Sequence, residues 1–114
     1  MDIKLIIAII RRHKLEAVEQ KLKETGAERI NVTKVKGYGE YHDFFAQDWM
    51  VEEVRLEIFT RNNEVEKITT TIMNAAHTGV PGDGVVAVVP VEKLFLVRTQ
   101  AEATPQEFWP RSSS

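Results

Sequence analysis

Two stretches of this chain are apolar at nearly every position. The first is Ile3 to Ile10, with Ile3, Leu5, Ile6, Ile7, Ile9 and Ile10; the second is Val85 to Val89. Short runs so rich in β-branched residues read as strands covered on both faces. A sheet containing two such strands must be clad on both sides, and the rest of the chain has to be read against that demand.

Leu15, Val18 and Leu22 recur at helical spacing, and Gly26 stands where a left-handed residue would end that helix. From Arg29 to Lys36, Ile30 and Val32 alternate with Asn31 and Thr33 as in a strand. Val35 breaks the phase, which predicts a bulge or a change of burial. Gly37-Tyr38-Gly39 ends the strand, and Glu40 to Met50 is polar and aromatic without a period, an excursion rather than an element. Val54, Leu56 and Ile58 alternate with Arg55, Glu57 and Phe59 in a third strand. Asn63 and Glu66 have the spacing of a capping box. Val65, Ile68, Ile72 and Ala75 or Ala76 then form the stripe of a second helix, closed by Gly79. Thr69 to Thr71 lower its intrinsic propensity, so packing must hold it. After Val89 a turn at Glu92-Lys93 leads to a short apolar segment, Leu94 to Val97. The chain is polar from Thr99 onward except for Phe108, Trp109 and Pro110, and Ser112 to Ser114 is expected to be disordered.

The order strand, helix, strand, strand, helix, strand predicts an α+β, ferredoxin-like split βαβ subunit with both helices on one face. A short extra C-terminal strand follows; residues 1–99 form the domain and 100–114 a tail. Nothing in the chain is left to cover the other face of the sheet. A chain of 114 residues also buries only about two-thirds of its unfolded surface, which makes it marginal alone. A homo-oligomer that packs sheet faces inward solves both problems.

Fifteen basic and seventeen acidic side chains leave a formal charge of −2, with no general attraction to nucleic acid or to an anionic membrane. The absence of cysteine excludes disulfides, thiolate zinc sites and cysteine nucleophiles. Leu5 to Ile10, between Lys4 and Arg11, is too short for a signal core or a membrane span, and no small-residue cleavage site follows. A cytoplasmic location is expected.

The densest turn signal is Thr78-Gly79-Val80-Pro81-Gly82-Asp83-Gly84. Three glycines in a short loop let backbone N–H groups approach a ligand closely, as phosphate cradles do, although a helix cap followed by Pro-Gly and Asp-Gly turns would look the same. The loop follows a helix C-terminus, whose dipole disfavours anions, so phosphate binding there needs amide nests and cations. Gly37-Tyr38-Gly39 would let a purine or ribose lie against the backbone, or is an ordinary entry to a loop.

Taken together these segments resemble the PII signal-transduction proteins. The resemblance rests on the opening strand with Lys14-Leu15 after it, on Val32-Thr33-Lys34-Val35-Lys36-Gly37-Tyr38-Gly39, and on Val54-Arg55-Leu56-Glu57-Ile58. Its most specific part is the Thr78 to Gly84 loop, followed by Pro90-Val91 and Val97-Arg98-Thr99, so that it spans Ile3 to Thr99. It implies a homotrimer that binds adenine nucleotides between subunits as regulatory ligands, with no catalytic cofactor and no enzymatic activity. It also implies a mobile loop, here about 38–50, that docks on a transporter, an enzyme or a regulator. The nucleotide contacts so implied are Gly37, Tyr38, Gly39, Glu57, Ile58, Phe59, Gly79, Gly82, Asp83 and Gly84, with Arg98 gripping phosphate.

Four departures qualify this. The lysine expected just after the glycine-aspartate-glycine loop is Val85, the first of two C-terminal arginines is Leu96, the glutamine that helps hold magnesium-ATP with 2-oxoglutarate is Tyr41, and the 2-oxoglutarate-binding lysine is Glu53. Each lost cation removes a charge-assisted contact of about 1.5–3 kcal/mol. ADP or AMP is therefore favoured over ATP, and sensing of 2-oxoglutarate is not expected. Tyr41, His42, Phe44, Phe45 and Trp49 make the loop aromatic, as partner hot spots are, or as a cover packed over the nucleotide cleft would be. The segment lacks the tyrosine context for nucleotidylation. A small anion such as bicarbonate is a candidate second effector, held by Arg98, loop amides and the loop's tyrosine or histidine.

Three other functions compete with this one. An acylphosphatase-like enzyme needs an early glycine-rich phosphate loop, and Arg11-Arg12-His13-Lys14 contains no glycine. A metal-responsive trimer of the CutA type would need ligands from His13, His42, His77 and carboxylates, and the histidines show no metal-binding spacing. A nucleic-acid contact at Arg11 to Lys14 would rest on one short basic run, better read as a solvated turn. The tail aromatics Phe108 and Trp109 are compatible with folding over a neighbour's cleft or with an unstructured end.

Overall fold

The computed structural model describes residues 2–27, 29–37 and 51–104. The first aliphatic run is strand β1, Ile3–Arg11, and a single helical turn at Arg12–Lys14 leads into helix α1, Leu15–Thr25. Strands β2, Ile30–Gly37, and β3, Val51–Arg61, follow, then a second turn at Asn62–Glu64 and helix α2, Val65–Ala76. Strand β4, Gly84–Val91, and two short strands, β5 (Phe95–Leu96) and β6 (Ala101–Glu102), complete the order. The four long strands form one sheet in the order β2-β3-β1-β4, antiparallel throughout. This is the ferredoxin-like arrangement expected from the sequence.

Side-chain alternation decides the layers. Ile6, Ala8 and Ile10 of β1 and Val54, Leu56 and Ile58 of β3 point toward Val18 and Leu22 of α1 and Ile68, Ile72 and Ala76 of α2, and all are buried. Burying one such leucine or isoleucine contributes about 1.5–3 kcal/mol, so this row of contacts is the core. Gly26 ends α1 at φ 93°, with its N–H donating to the Lys23 carbonyl at 3.0 Å, the left-handed cap anticipated.

The other face is partly open. Leu5, Ile7 and Ile9 are half-buried there, beside Val85 at 62% and Val89 at 38% exposure. One end is covered by the chain itself: the β5–β6 hairpin brings Ala103, Leu94 and Leu96 over Ile3, Phe59 and Val91. The sequence reading left that face with no cover from this chain and took the residues after Thr99 as tail; two-residue strands are too short to show a pattern.

Three local expectations change. β2 pairs with β3 without interruption from Ile30↔Ile58 to Gly37↔Val51, so there is no bulge at Val35. Val35 simply lies on the open face, across from Glu53, where burial differs. The capping box at Asn63 and Glu66 does not form, because the turn at Asn62–Glu64 moves the cap of α2 to Glu64, which makes no side-chain capping bond. α2 ends at Ala76, with His77 extended, before Gly79 is reached. Within it, Thr69 and Thr71 return their hydroxyl protons to the carbonyls of Glu66 and Lys67. The excursion at Glu40 to Met50 and the Phe108-Trp109 tail lie outside the described residues.

Two glycines with positive φ separate conformational from steric constraint. A Cβ at Gly26 would meet nothing within 4 Å, whereas at Gly84 it would stand 1.9 Å from the Ile9 carbonyl oxygen. Gly26→Ala is expected to cost only the left-handed penalty, about 1–2 kcal/mol. Gly84→Ala must cost more, since β4 has to move off β1, and urea denaturation of both variants measures the ranking.

Candidate functional site

The Thr78 to Gly84 loop carries the chain from the end of α2 into the edge strand β4. Positive φ at Gly79, Gly82 and Gly84, 88°, 105° and 114°, folds it back over the end of β1. Its centre is the Asp83 carboxylate. Oδ2 accepts from the backbone N–H groups of Thr78 at 2.8 Å and Gly79 at 2.9 Å, and Oδ1 accepts from the Thr78 hydroxyl. Arg11 Nε donates to Oδ1 at 3.3 Å, and Arg11 Nη2 donates to the Pro81 carbonyl at 2.9 Å. The Val80 N–H donates to the Thr78 hydroxyl oxygen at 3.1 Å, so three successive loop amides are used within the loop.

Hydrogen bonds from Thr78, by side chain and then backbone, and from the Gly79 N–H hold the Asp83 carboxyl far below the usual aspartate range, with Arg11 adding to them. These bonds make Asp83 the brace of the loop. Gly79, expected among the nucleotide contacts, has its N–H committed to that brace. Thr78 to Pro81 are exposed, whereas Gly82 lies half-buried against the Arg11 guanidinium. Gly84 is already paired with Ile10.

The remaining candidates are not brought together in one chain. Gly37 is at the same end of the sheet as the loop but on the opposite edge strand, three inter-strand steps away, about 14 Å. Arg98 sits in the exposed turn between β5 and β6, past the far end of β4, about 23 Å of strand from Gly84. Glu57 and Phe59 face the open side of β3. Glu57 is bonded there to Arg55 at 3.0 Å, and Phe59 packs under the hairpin. Ile58 is 1% exposed, with its side chain in the core as its place in the Val54, Leu56, Ile58 alternation signals, so a contact there would fall to its backbone. Tyr38, Gly39, Tyr41, His42, Phe44, Phe45 and Trp49 lie outside the described residues.

The departures fall in distinct settings. Val85 projects from the open face, Leu96 packs in the hairpin cluster with Ile3 and Ala103, and Glu53 lies directly across from Arg11. Arg11 itself is the residue that the sequence reading missed, having placed it in a solvated turn. Its partners are some seventy positions away, at |i−j| of 69 to 72, so no local pattern reveals them.

A pocket of about 220 Å³ opens beneath the loop between α2 and β4, lined by Ile72, Met73, Ala76, Val86, His77 and Asp83 among others. A second, of about 170 Å³, lies at the base of the β2–β3 stem, where Arg12 pairs with Glu52 beside Lys34, Val35 and Glu53.

The Asp83 brace has a definite pH signature. A depressed carboxyl contributes stability in full above its unfolded value of 3.8 and loses it as pH falls toward the native value. The wild type should therefore be more thermally stable than Asp83→Asn by a constant margin between about pH 5 and 8, and the margin should shrink below about pH 4. Melting temperatures of the two proteins across that range measure it.

Comparison with known proteins agrees with this architecture. The family model described as nitrogen regulatory protein P-II matches residues 3–101. Nitrogen regulatory protein GlnK2 of Haloferax mediterranei is 39% identical, with 85% of each chain covered. Nitrogen regulatory protein P-II of Azospirillum brasilense is 36% identical over 84% of this chain and 92% of its own. The crystal structure of Arabidopsis thaliana PII bound to citrate superposes with a TM-score of 0.76 at 31% identity, covering 90% of this chain and 89% of the other. The metal-responsive alternative gains no support, since the matching family is a different one and no three His, Asp or Glu side chains converge among the described residues. Fold, loop and relatives agree: the chain belongs to the nitrogen regulatory protein P-II family of regulatory signal transducers.

Proposed function

We propose that the chain is a cytoplasmic homotrimeric regulator that binds an adenine nucleotide, ADP or AMP in preference to ATP, in the clefts between its subunits. The observation that carries this reading is the dispersal of the candidate site. The glycine loop and Gly37 lie on opposite edges of the main sheet and Arg98 in the hairpin turn past its far end, so in this reading a neighbouring copy completes the site. The half-open face bearing Leu5, Ile7, Ile9, Val85 and Val89 supplies the apolar surface on which copies would meet. No helix among the described residues is long and apolar enough to cross a membrane.

The chemistry favours few phosphates. Val85 and Leu96 carry no charge, Glu53 adds a negative one near the loop, and three loop amides are already satisfied. A third phosphate would find less compensation than a first or second. Bound nucleotide would act by population shift, favouring one state of the Tyr38 to Met50 segment by its differential affinity for that state. That segment would control a transporter, an enzyme or a regulator, with a small anion such as bicarbonate as second effector. The role is control, not catalysis.

Sedimentation should give a mass of three chains. Calorimetry should show ADP and AMP binding more tightly than ATP, and Arg98→Ala should weaken ADP by about 1.5–3 kcal/mol. A dissociation constant unchanged in Arg98→Ala removes that residue from the site. A monomer indifferent to all three nucleotides ends the proposal, and bicarbonate titrated with and without ADP tests the second effector.

A further inference from the structure

We propose that Arg11 is the phosphate-facing cation of the glycine loop, an inference that rests on the nucleotide reading above and names the group that makes it electrostatically workable. An aspartate at the centre of an anion cradle is a liability unless its charge is cancelled. Arg11 cancels it, with Nε on Asp83 Oδ1 at 3.3 Å. Its Nη2 is fixed on the Pro81 carbonyl at 2.9 Å, with the Val80 carbonyl at 3.5 Å. Nη1 has no hydrogen-bond acceptor among the described residues, and it carries two of the guanidinium's five donors.

Glycine at 82 is what lets the guanidinium lie against the loop. A Cβ there would stand 3.0 Å from Nη2 and 3.7 Å from Nη1. Strand register puts Arg11 where a phosphate cation is needed. Ile9 pairs with Val85, and Arg11 is the next residue of β1 on the same open face. Its Cα therefore lies about 7–8 Å diagonally from Val85, the first side chain after the loop on that face. With Arg98 at the other end of the sheet, Arg11 holds its charge on the loop of its own chain, whatever a neighbour contributes.

The surrounding charges define the test. Glu53 lies across from Arg11 on β3 with no ion pair within 4 Å among the described residues, and His77 Nδ1 is 4.0 Å from Asp83 Oδ2. Binding of ADP, adenosine and inorganic pyrophosphate to the full chain is measured by calorimetry. The variants are Arg11→Gln, Arg11→Lys and Glu53→Gln. A charge-assisted contact predicts that Arg11→Gln weakens ADP and pyrophosphate about 10- to 100-fold and leaves adenosine within about twofold. Arg11→Lys should recover part of the loss, and Glu53→Gln should tighten both anions several-fold. Equal weakening of adenosine and ADP would make Arg11 a scaffold only and overturn the inference. ADP and pyrophosphate unaffected by Arg11→Gln would overturn it while the nucleotide reading stands. Pyrophosphate binding that depends on Arg11, with adenosine adding nothing, would support the inference and overturn the adenine reading. If wild type binds none of the three, both fall. Should Arg11→Gln not fold, Glu53→Gln decides, and unchanged anion affinity counts against the inference.

Discussion

The pairing of β1 with β4 joins the two ends of the domain, and the site is hung from it. Ile10 against Gly84 fixes where the crossover from α2 must land, and the 1.9 Å between a Cβ at 84 and the Ile9 carbonyl means that no other residue permits this register. Closing so long a segment costs chain entropy that grows only slowly with length, but it has to be recovered by contacts far apart in sequence. The aliphatic density of Ile3 to Ile10 and Val85 to Val89 provides that recovery. The same register delivers Arg11 to the loop.

The loop thus combines rigidity with neutrality. Its first half spends its amides on Asp83 and the Thr78 hydroxyl, and Gly82 in its second half lies against a guanidinium. A carboxylate is an effective organiser of backbone N–H groups, but it would repel an anionic ligand without the Arg11 charge at its other oxygen. The loop's order thus comes from local bonds to Asp83, and the charge that balances it comes from a distant part of the chain.

Much of this was legible in the residues. The aliphatic runs, the Leu15, Val18, Leu22 stripe and Gly26 gave strand, helix and cap, because burial and positive φ leave strong local marks. The fold class followed from element order. The inward direction of the Ile58 side chain was equally legible, in its alternation with Glu57 and Phe59. The capping box failed because one helical turn ahead of α2 shifts the cap by a residue, a displacement that the local spacing cannot show. The β5–β6 hairpin and the Arg11 brace depend on pairings between distant or minimal segments, and such contacts have no periodic signature.

Ile3 is the buried seat on which Ala103 and Leu96 rest, and the neighbouring Asp2 carbonyl accepts from the Asn62 N–H at 2.9 Å. The opening residues of the chain are therefore a wedge under the hairpin that carries Arg98. A smaller side chain at Ile3 would loosen the footing of that hairpin without altering any residue in it.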